Sequence, residues 1–186
     1  MADAIQLSGI SKVFGSGSKA VTALKDTELH TDQGSFLALL GPSGCGKSTI
    51  LRILAGLETP TSGEAYVDGK APADLRRDSE LGIAFQDHAL LPWRSVVGNI
   101  RLVFEVAGRR PDMDYIHELI KLVGLDRAGK RQLQEYCKGM TRRIGLAQAL
   151  INDPELILLD EPTSGLDPIG TREMKDLILK LRDQGK

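Results

Sequence analysis

The stretch GPSGCGKST occupies residues 41–49 and directly follows the apolar run SFLALL at residues 35–40. The apolar run predicts a buried strand, and KSTILRILAGL predicts a helix that ends at Gly56. Glycines between a strand and a helix let successive backbone N–H groups curl around a phosphate, and the helix N-terminus adds a partial positive charge. The stretch therefore fits a phosphate-binding loop, and the alternative is an ordinary glycine-rich turn.

Two side chains of this loop have predicted roles toward a bound nucleotide. Lys47 would reach the β and γ phosphates, and the hydroxyl of Ser48 would bind Mg²⁺. The remaining residues would surround the phosphates with their backbone. The predicted nucleotide-binding residues of the loop are Gly41, Pro42, Ser43, Gly44, Cys45, Gly46, Lys47, Ser48 and Thr49.

Composition narrows the functional classes. The 186 residues suit one domain or two closely packed subdomains, and a hydrophobic content of 41% permits a sizeable core. Lys plus Arg total 24 against 25 Asp plus Glu, whereas broad nucleic-acid binding requires a strongly basic surface. No apolar run approaches the roughly 18 residues of a membrane-spanning helix, and the N-terminus lacks the features of a signal peptide. Two cysteines form no disulfide framework, so we expect a reduced cytosolic setting.

The rest of the chain alternates strand-like and helix-like segments. AIQLSGISKVF predicts a bent strand near the N-terminus, and EAYVDG, LGIAF and ELILLD predict further strands. Apolar residues three and four apart predict helices between residues 96 and 150, and TREMKDLILKLRDQ predicts a final amphipathic helix. This alternation predicts an α/β fold with a parallel sheet covered by helices and an inserted helical subdomain.

LILLDEP at residues 156–162 is an apolar strand that ends in two carboxylates. Asp160 at the strand end suits coordination of Mg²⁺, directly or through water. Glu161 follows it and is the candidate general base for a water that attacks a γ-phosphate. The alternative is a solvated acidic strand end, which the phosphate loop elsewhere in the chain disfavours.

Five motifs in one order resemble the ATP-binding cassette (ABC) family of transporter ATPases. They are the phosphate loop, AFQ at 84–86, KGM at 138–140, LLDEP at 158–162 and SGLD at 164–167, and the match covers almost the whole chain. The resemblance implies a P-loop NTPase with a mostly parallel sheet, a small N-terminal β subdomain and missing C-terminal strands. It implies one truncated ABC domain with three parts. Residues 1–86 would form a β subdomain and the nucleotide-binding core, and residues 87–150 would form a helical subdomain with the signature. Residues 151–186 would contain a core strand, the D-loop and the final helix.

The same resemblance implies further site residues. Gln86 would be the Q-loop glutamine that contacts Mg²⁺ and the attacking water, and Phe14 would stack on adenine. Taken alone, Gln86 is a polar residue at a strand end and Phe14 fits a strand-end core position equally well. The resulting predictions are Glu161, Gln86 and Lys47 as catalytic residues, and Ser48, Gln86 and Asp160 as metal ligands.

YCKGM stands where the family has its signature, usually LSGGQ, before the helix TRRIGLAQAL. Cys137, Lys138 and Gly139 would bind the nucleotide held by a second cassette. A lysine suits a helix N-terminus that faces a phosphate, and some cassettes of drug-export type carry one. Cys137 replaces a serine, and loss of a hydrogen bond to a charged phosphate costs about 1.5–3 kcal/mol. The alternative is a loop before a helix with no special role.

The resemblance implies a function in membrane transport. We expect an ATP-binding and ATP-hydrolysing subunit that uses ATP and Mg²⁺ and works with a second ABC subunit and a polytopic membrane transporter subunit. No nucleic-acid partner is expected, and the implied location is cytoplasmic, peripheral at the inner face of the cell membrane. Residues 90–93 would lie near the membrane subunit, or would pack as an apolar loop on the helical subdomain.

Two features leave alternatives open. The chain ends at LRDQGK, before the switch histidine of the family, and His30, His88 and His117 lie elsewhere. A truncated cassette that binds ATP but hydrolyses it poorly is therefore the alternative. The N-terminal half resembles importer cassettes for nitrate, sulfonate and taurine, whereas the C-terminal half resembles drug-export-type cassettes, so substrate and direction stay open. A soluble ABC ATPase of DNA repair or translation is disfavoured, since the chain has no coiled-coil insertion or second cassette.

Overall fold

The computed structural model describes residues 3–86, 90–126 and 138–185. The chain forms two compact units, one that ends at Glu80 and one that begins at Leu81. The predicted division into residues 1–86, 87–150 and 151–186 stays a prediction. Within the described ranges, no helix combines the length and the apolar character needed to cross a membrane.

The first unit is built on a three-stranded antiparallel sheet, in which the first strand lies between the second and the third. The first strand is bent, as predicted, because the register shifts on both sides of Ile10. Leu7 and Ile10 are fully buried, and Val67 adds to the same core. The second strand was not predicted, because its pattern is mostly polar and only Leu24 is buried along it. The strands are β1 (Asp3–Phe14), β2 (Val21–Asp32) and β3 (Ser62–Val67).

Two helices complete the first unit, α1 (Lys47–Leu54) and α2 (Pro72–Arg77). The predicted end of α1 at Gly56 is confirmed. Gly56 has a φ of +64°, its N–H donates to Ile53 O at 2.9 Å, and Leu57 N–H donates to Arg52 O at 2.9 Å. This pair of bonds is a Schellman motif, and it satisfies carbonyl groups that the end of a helix otherwise leaves unpaired.

The predicted buried strand at residues 35–40 is wrong. In the described part of the chain these residues pair with no strand, and a turn from Ser35 N–H to Asp32 O precedes them. The side chains of Phe36, Leu37 and Leu40 are 55%, 42% and 92% exposed. An apolar run predicts burial only where neighbouring strands supply hydrogen bonds and both faces are covered. In this unit, the described strands form those bonds with one another instead.

The described residues of the second unit form two parallel strands and four helices. Its strands are paired without a register shift, from Leu81 opposite Leu156 to Ala84 opposite Leu159. A Cβ at Gly82 would lie 2.5 Å from Ala149 O, so the fifth helix packs directly on the strand. The elements are β4 (Leu81–Ala84), α3 (Val96–Val106), α4 (Met113–Leu122), α5 (Lys138–Ala149), β5 (Leu156–Leu159) and α6 (Pro168–Asp183).

The helices of the second unit pack around one apolar core. The helical periodicity of the sequence predicted these helices, although α6 begins at Pro168, three residues before the predicted start at Thr171. Side chains cap two of the helix starts: Ser95 accepts from Gly98 N–H at 3.1 Å and Asp167 accepts from Gly170 N–H at 2.9 Å. The fully or almost fully buried core includes Val96, Ile100, Phe104, Ile116, Ile120, Ile144, Leu146 and Met174.

Asn99 is fully buried in this core and joins α3 to the loop before it. Its Oδ1 accepts from Leu91 N–H at 2.7 Å, and its Nδ2 lies 3.1 Å from Leu91 O and 3.1 Å from Ser95 O. Its own carbonyl accepts from Gln148 Nε2 on α5 at 2.9 Å. One amide side chain therefore fixes the loop at residues 91–95 onto the helices.

We expect Asn99→Ala to lower the free energy of unfolding by about 2 kcal/mol, because it leaves buried backbone groups of the loop without partners. Urea unfolding followed by circular dichroism measures the change. Asn152→Ala is the matched control, since Asn152 is exposed and bonds only to Arg109 among the described contacts. Its effect should stay within about 0.5 kcal/mol. Equal losses in the two variants would contradict the role given to Asn99.

Candidate nucleotide site and acidic strand end

The loop at residues 41–46 leads directly into α1, and two of its glycines adopt conformations that other residues rarely take. Gly44 has a φ of +80° and Gly46, the N-cap residue of the helix, has a φ of +97°. A Cβ at Gly46 would lie 2.6 Å from Leu24 Cδ2 and 2.7 Å from Ala23 O. Strand β2 therefore lies so close to the loop that residue 46 has no room for a side chain.

The Lys47 ammonium lies over the beginning of the same loop. Its Nζ donates to Gly41 O at 2.7 Å and to Pro42 O at 2.8 Å, and it lies 3.6 Å from the exposed Cys45 Sγ. The first N–H groups of a helix have no intrahelical acceptor and carry a partial positive charge. Flexible glycines, a helix start and an ammonium group in one loop fit the triphosphate of a nucleotide.

Phe14 lies at the end of β1, opposite Val21 of β2. The residue is 38% exposed, and Lys12 Nζ lies 5.0 Å from the ring centroid. Two and three residues beyond Val21, the same strand contacts the loop through Ala23 and Leu24. Phe14 and the phosphate loop thus both lie near the first residues of β2. Its stacking on adenine stays a prediction.

The acidic end of β5 lies beside the end of β4. Asp160 N–H donates to Ala84 O at 2.9 Å and extends the pairing of the strands by one bond. Glu161 then turns with a φ of +48°, and its Oε2 accepts from Gln86 Nε2 at 3.0 Å. The structure therefore brings Gln86 and Glu161 into direct contact, next to the backbone of Asp160.

The residues of the predicted signature are only partly described. Lys138 and Gly139 are the first two residues of α5, whereas Cys137 lies outside the described residues. A Cβ at Gly165, in the SGLD turn, would lie 3.5 Å from Lys138 Cδ and 3.6 Å from its Nζ. Two motifs that the sequence separates by more than twenty residues are therefore neighbours.

The sequence assigned no role to Arg142, which the structure places beside Gln86. Its NH1 donates to Gln86 O at 3.4 Å. Pattern alone does not show which backbone group a helical arginine will reach.

The predicted site residues divide between the two units. Phe14 and the loop at residues 41–49 belong to the first, and Gln86, Lys138, Gly139, Asp160 and Glu161 belong to the second.

Comparison with known proteins identifies the family. The family model described as ABC transporter matches residues 24–164, which include the phosphate loop and the acidic strand end. The chain belongs to the ABC transporter family. The predicted fold class, an α/β P-loop NTPase with a small N-terminal β subdomain, is confirmed by this family membership and by solved ABC cassettes of the same fold.

Proteins similar to this ABC family chain include two import ATP-binding proteins. "Methionine import ATP-binding protein MetN 2" of Enterococcus faecalis is 40% identical over 97% of the chain, and the chain spans 54% of that protein's length. "Taurine import ATP-binding protein TauB" of Burkholderia pseudomallei is 38% identical over 95% of the chain and 68% of its own length. The chain thus spans about half the length of the methionine import relatives. The resemblance of its C-terminal half to export-type cassettes stays a prediction.

Solved structures of ABC cassettes share the fold of this chain. The dimeric structure of MJ0796, titled a bacterial ABC transporter cassette, matches with a TM-score of 0.84 and 31% identity over 97% of this chain and 83% of that one. A second structure of the same cassette is a dimeric post-hydrolysis state bound to ADP and Pi, also with a TM-score of 0.84 and 30% identity.

Gly44 and Gly46 of the loop provide a matched pair of substitutions. Nothing lies within 4 Å of a Cβ built at Gly44, whereas one at Gly46 overlaps β2. We expect Gly44→Ala to lower the free energy of unfolding by about 1 kcal/mol from backbone strain alone, and Gly46→Ala by about 3 kcal/mol because steric overlap is added. Circular dichroism during urea unfolding measures both. Equal effects would show that β2 does not press on the loop.

Proposed function

We propose that the chain is the ATP-binding and ATP-hydrolysing subunit of an ABC membrane transporter of the import type. The observation that carries the proposal is the loop at residues 41–46. There β2 leaves room only for glycine at position 46, and the Lys47 ammonium at the start of α1 donates to Gly41 O. The import-type names of the methionine and taurine relatives support the direction. The proposal leaves the transported molecule open.

The phosphate loop would hold the triphosphate through the backbone of Gly41, Gly44 and Gly46, and Lys47 would exchange its loop carbonyls for phosphate oxygens. The other loop residues of the predicted set, Pro42, Ser43, Cys45 and Thr49, would complete the cradle. Phe14 would stack on the adenine ring.

The motifs also supply the residues that we propose for the reaction. Ser48, Gln86 and Asp160 offer the oxygen ligands that Mg²⁺ prefers, and the bound ion would neutralise charge on the β and γ phosphates. Glu161 would accept a proton from the attacking water, and the Gln86 amide, 3.0 Å from its carboxylate, would orient both groups. Because phosphoryl transfer depends mainly on positioning and electrostatics, this contact between amide and carboxylate is central to the proposal.

A second copy or a related cassette would complete the site. The MJ0796 cassette is dimeric in both solved structures, which supports this part of the proposal. In the proposed dimer, Cys137, Lys138 and Gly139 of one subunit would face the nucleotide held by the other. Lys138 is the first residue of α5 and is exposed, so its ammonium group is available to a phosphate at that helix start.

The membrane subunit would contact the loop that Asn99 fixes. Trp93 is 65% exposed on that loop. The loop is held by hydrogen bonds between Asn99 of α3 and the backbone of Leu91 and Ser95. An aromatic side chain presented on a rigid loop is a suitable anchor for a partner surface. The chain would then lie peripherally at the inner, cytoplasmic face of the cell membrane.

The alternative is a cassette that binds ATP without turning it over. It rests on Cys137, where the family has serine. Measurement of binding and of phosphate release on the same purified chain separates this alternative from the proposal.

Lys47→Ala should weaken binding of a fluorescent ATP analogue by about tenfold to a hundredfold, because charge-assisted hydrogen bonds to phosphate are lost. A titration in the presence of Mg²⁺ gives the dissociation constants. Lys175→Ala removes an exposed lysine of α6 and should leave the constant unchanged. Absence of binding by the unmodified chain would overturn the proposal.

Glu161→Gln should retain nucleotide binding and lower the rate of phosphate release by about a hundredfold or more, as loss of a general base does. Glu118→Gln, an exposed position on α4, is the matched control. Binding without release by the unmodified chain would favour the alternative function instead.

A further inference from the structure

Arg142 occupies the second turn of α5 and is neither a core residue nor a member of the nucleotide site proposed above. Its side chain is half-buried, and NH1 donates to the backbone carbonyl of Gln86 at 3.4 Å. The stem of the side chain borders a small pocket between the strand ends and the helices. That pocket is lined by Ala84, Phe85, Arg142, Leu146, Leu159, Asp160, Pro162 and Met174.

The contact matters because Gln86 lies just beyond a strand end. Strand β4 ends at Ala84, whose carbonyl accepts the bond from Asp160 N–H, and Gln86 itself is exposed. Its side chain is held by Glu161, and its backbone is held by Arg142. The two bonds act on different atoms of one residue, so together they restrict both its position and its rotation.

We propose that Arg142 is a positioning residue that sets the Gln86 amide against Glu161, an inference that rests on the proposed function. Arg142 lies four residues after Lys138, one helical turn along α5. The helix that begins with the signature residues is thus fastened to the backbone of the residue that orients the general base.

A purely packing role for Arg142 makes a different prediction. If its stem only fills the border of the pocket, any side chain of similar length serves equally well. If its charged donor holds the Gln86 carbonyl, only a side chain with a donor serves. Arg142→Met keeps the stem without a donor, and Arg142→Lys keeps a cationic donor, so the two variants separate the roles.

The first experiment compares these variants with the unmodified chain. We measure kcat and KM for phosphate release, and the ratio of ATP dissociation constants in EDTA and in Mg²⁺. Arg142→Met should lower kcat, and lower the Mg²⁺-dependent ratio, by about threefold to tenfold, with little change in binding in EDTA. Arg142→Lys should stay within about twofold of the unmodified chain. Arg101→Ala, which removes a surface arginine of α3, should change neither quantity.

The second experiment places Arg142→Met in the Gln86→Ala background. A residue that acts through Gln86 has nothing left to position there, so the double variant should match Gln86→Ala alone. Additive losses would overturn the proposal, as would equal behaviour of the Met and Lys variants. A loss of unfolding free energy that parallels the loss of kcat would also overturn it.

The design separates this proposal from the proposed function. Binding that depends on Lys47 establishes the nucleotide site whatever Arg142 does, and a chain without turnover still yields the Mg²⁺-dependent ratio. If the unmodified chain binds no nucleotide, both proposals fail. If it binds and the Met variant behaves normally, only the role of Arg142 fails.

Discussion

The close approach of β2 to Gly46 is the constraint on which the phosphate loop depends. Ala23 O and Leu24 Cδ2 occupy the space that any side chain at position 46 would need. The strand therefore leaves room for glycine alone at position 46, directly before Lys47 begins α1. Strand β2, which is mostly polar and buries only Leu24, thus supports the phosphate loop, the most specific motif in the sequence.

A second constraint shapes the acidic strand end. Parallel pairing of β4 and β5 without a register shift brings the residues that follow them to the same edge. Gln86 and Glu161 can therefore meet at 3.0 Å although 75 residues separate them. Glu161 reaches this position by a backbone turn with positive φ, an uncommon conformation for a glutamate, and such conformations concentrate at functional sites.

The sequence predicted the elements that carry dense, local signals. Helical periodicity located α3 to α6, and the glycine after α1 marked its end correctly. Strand β2 was not predicted, because its residues are mostly polar and its burial depends on contacts with residues distant in the sequence. The run at residues 35–40 failed for the opposite reason, since apolar character was read as burial. At the site, motifs named Lys47, Gln86 and Glu161, but no pattern could show that Arg142 reaches a backbone carbonyl.

The loop that Asn99 fixes carries the single tryptophan of the chain. Intrinsic emission from indole therefore arises entirely from that loop in the second unit, where the side chain is largely in water. The first unit contains no tryptophan, so its unfolding alone exposes or buries no indole ring. A shift of emission to shorter wavelength on mixing with another protein would thus report that this one surface has become covered.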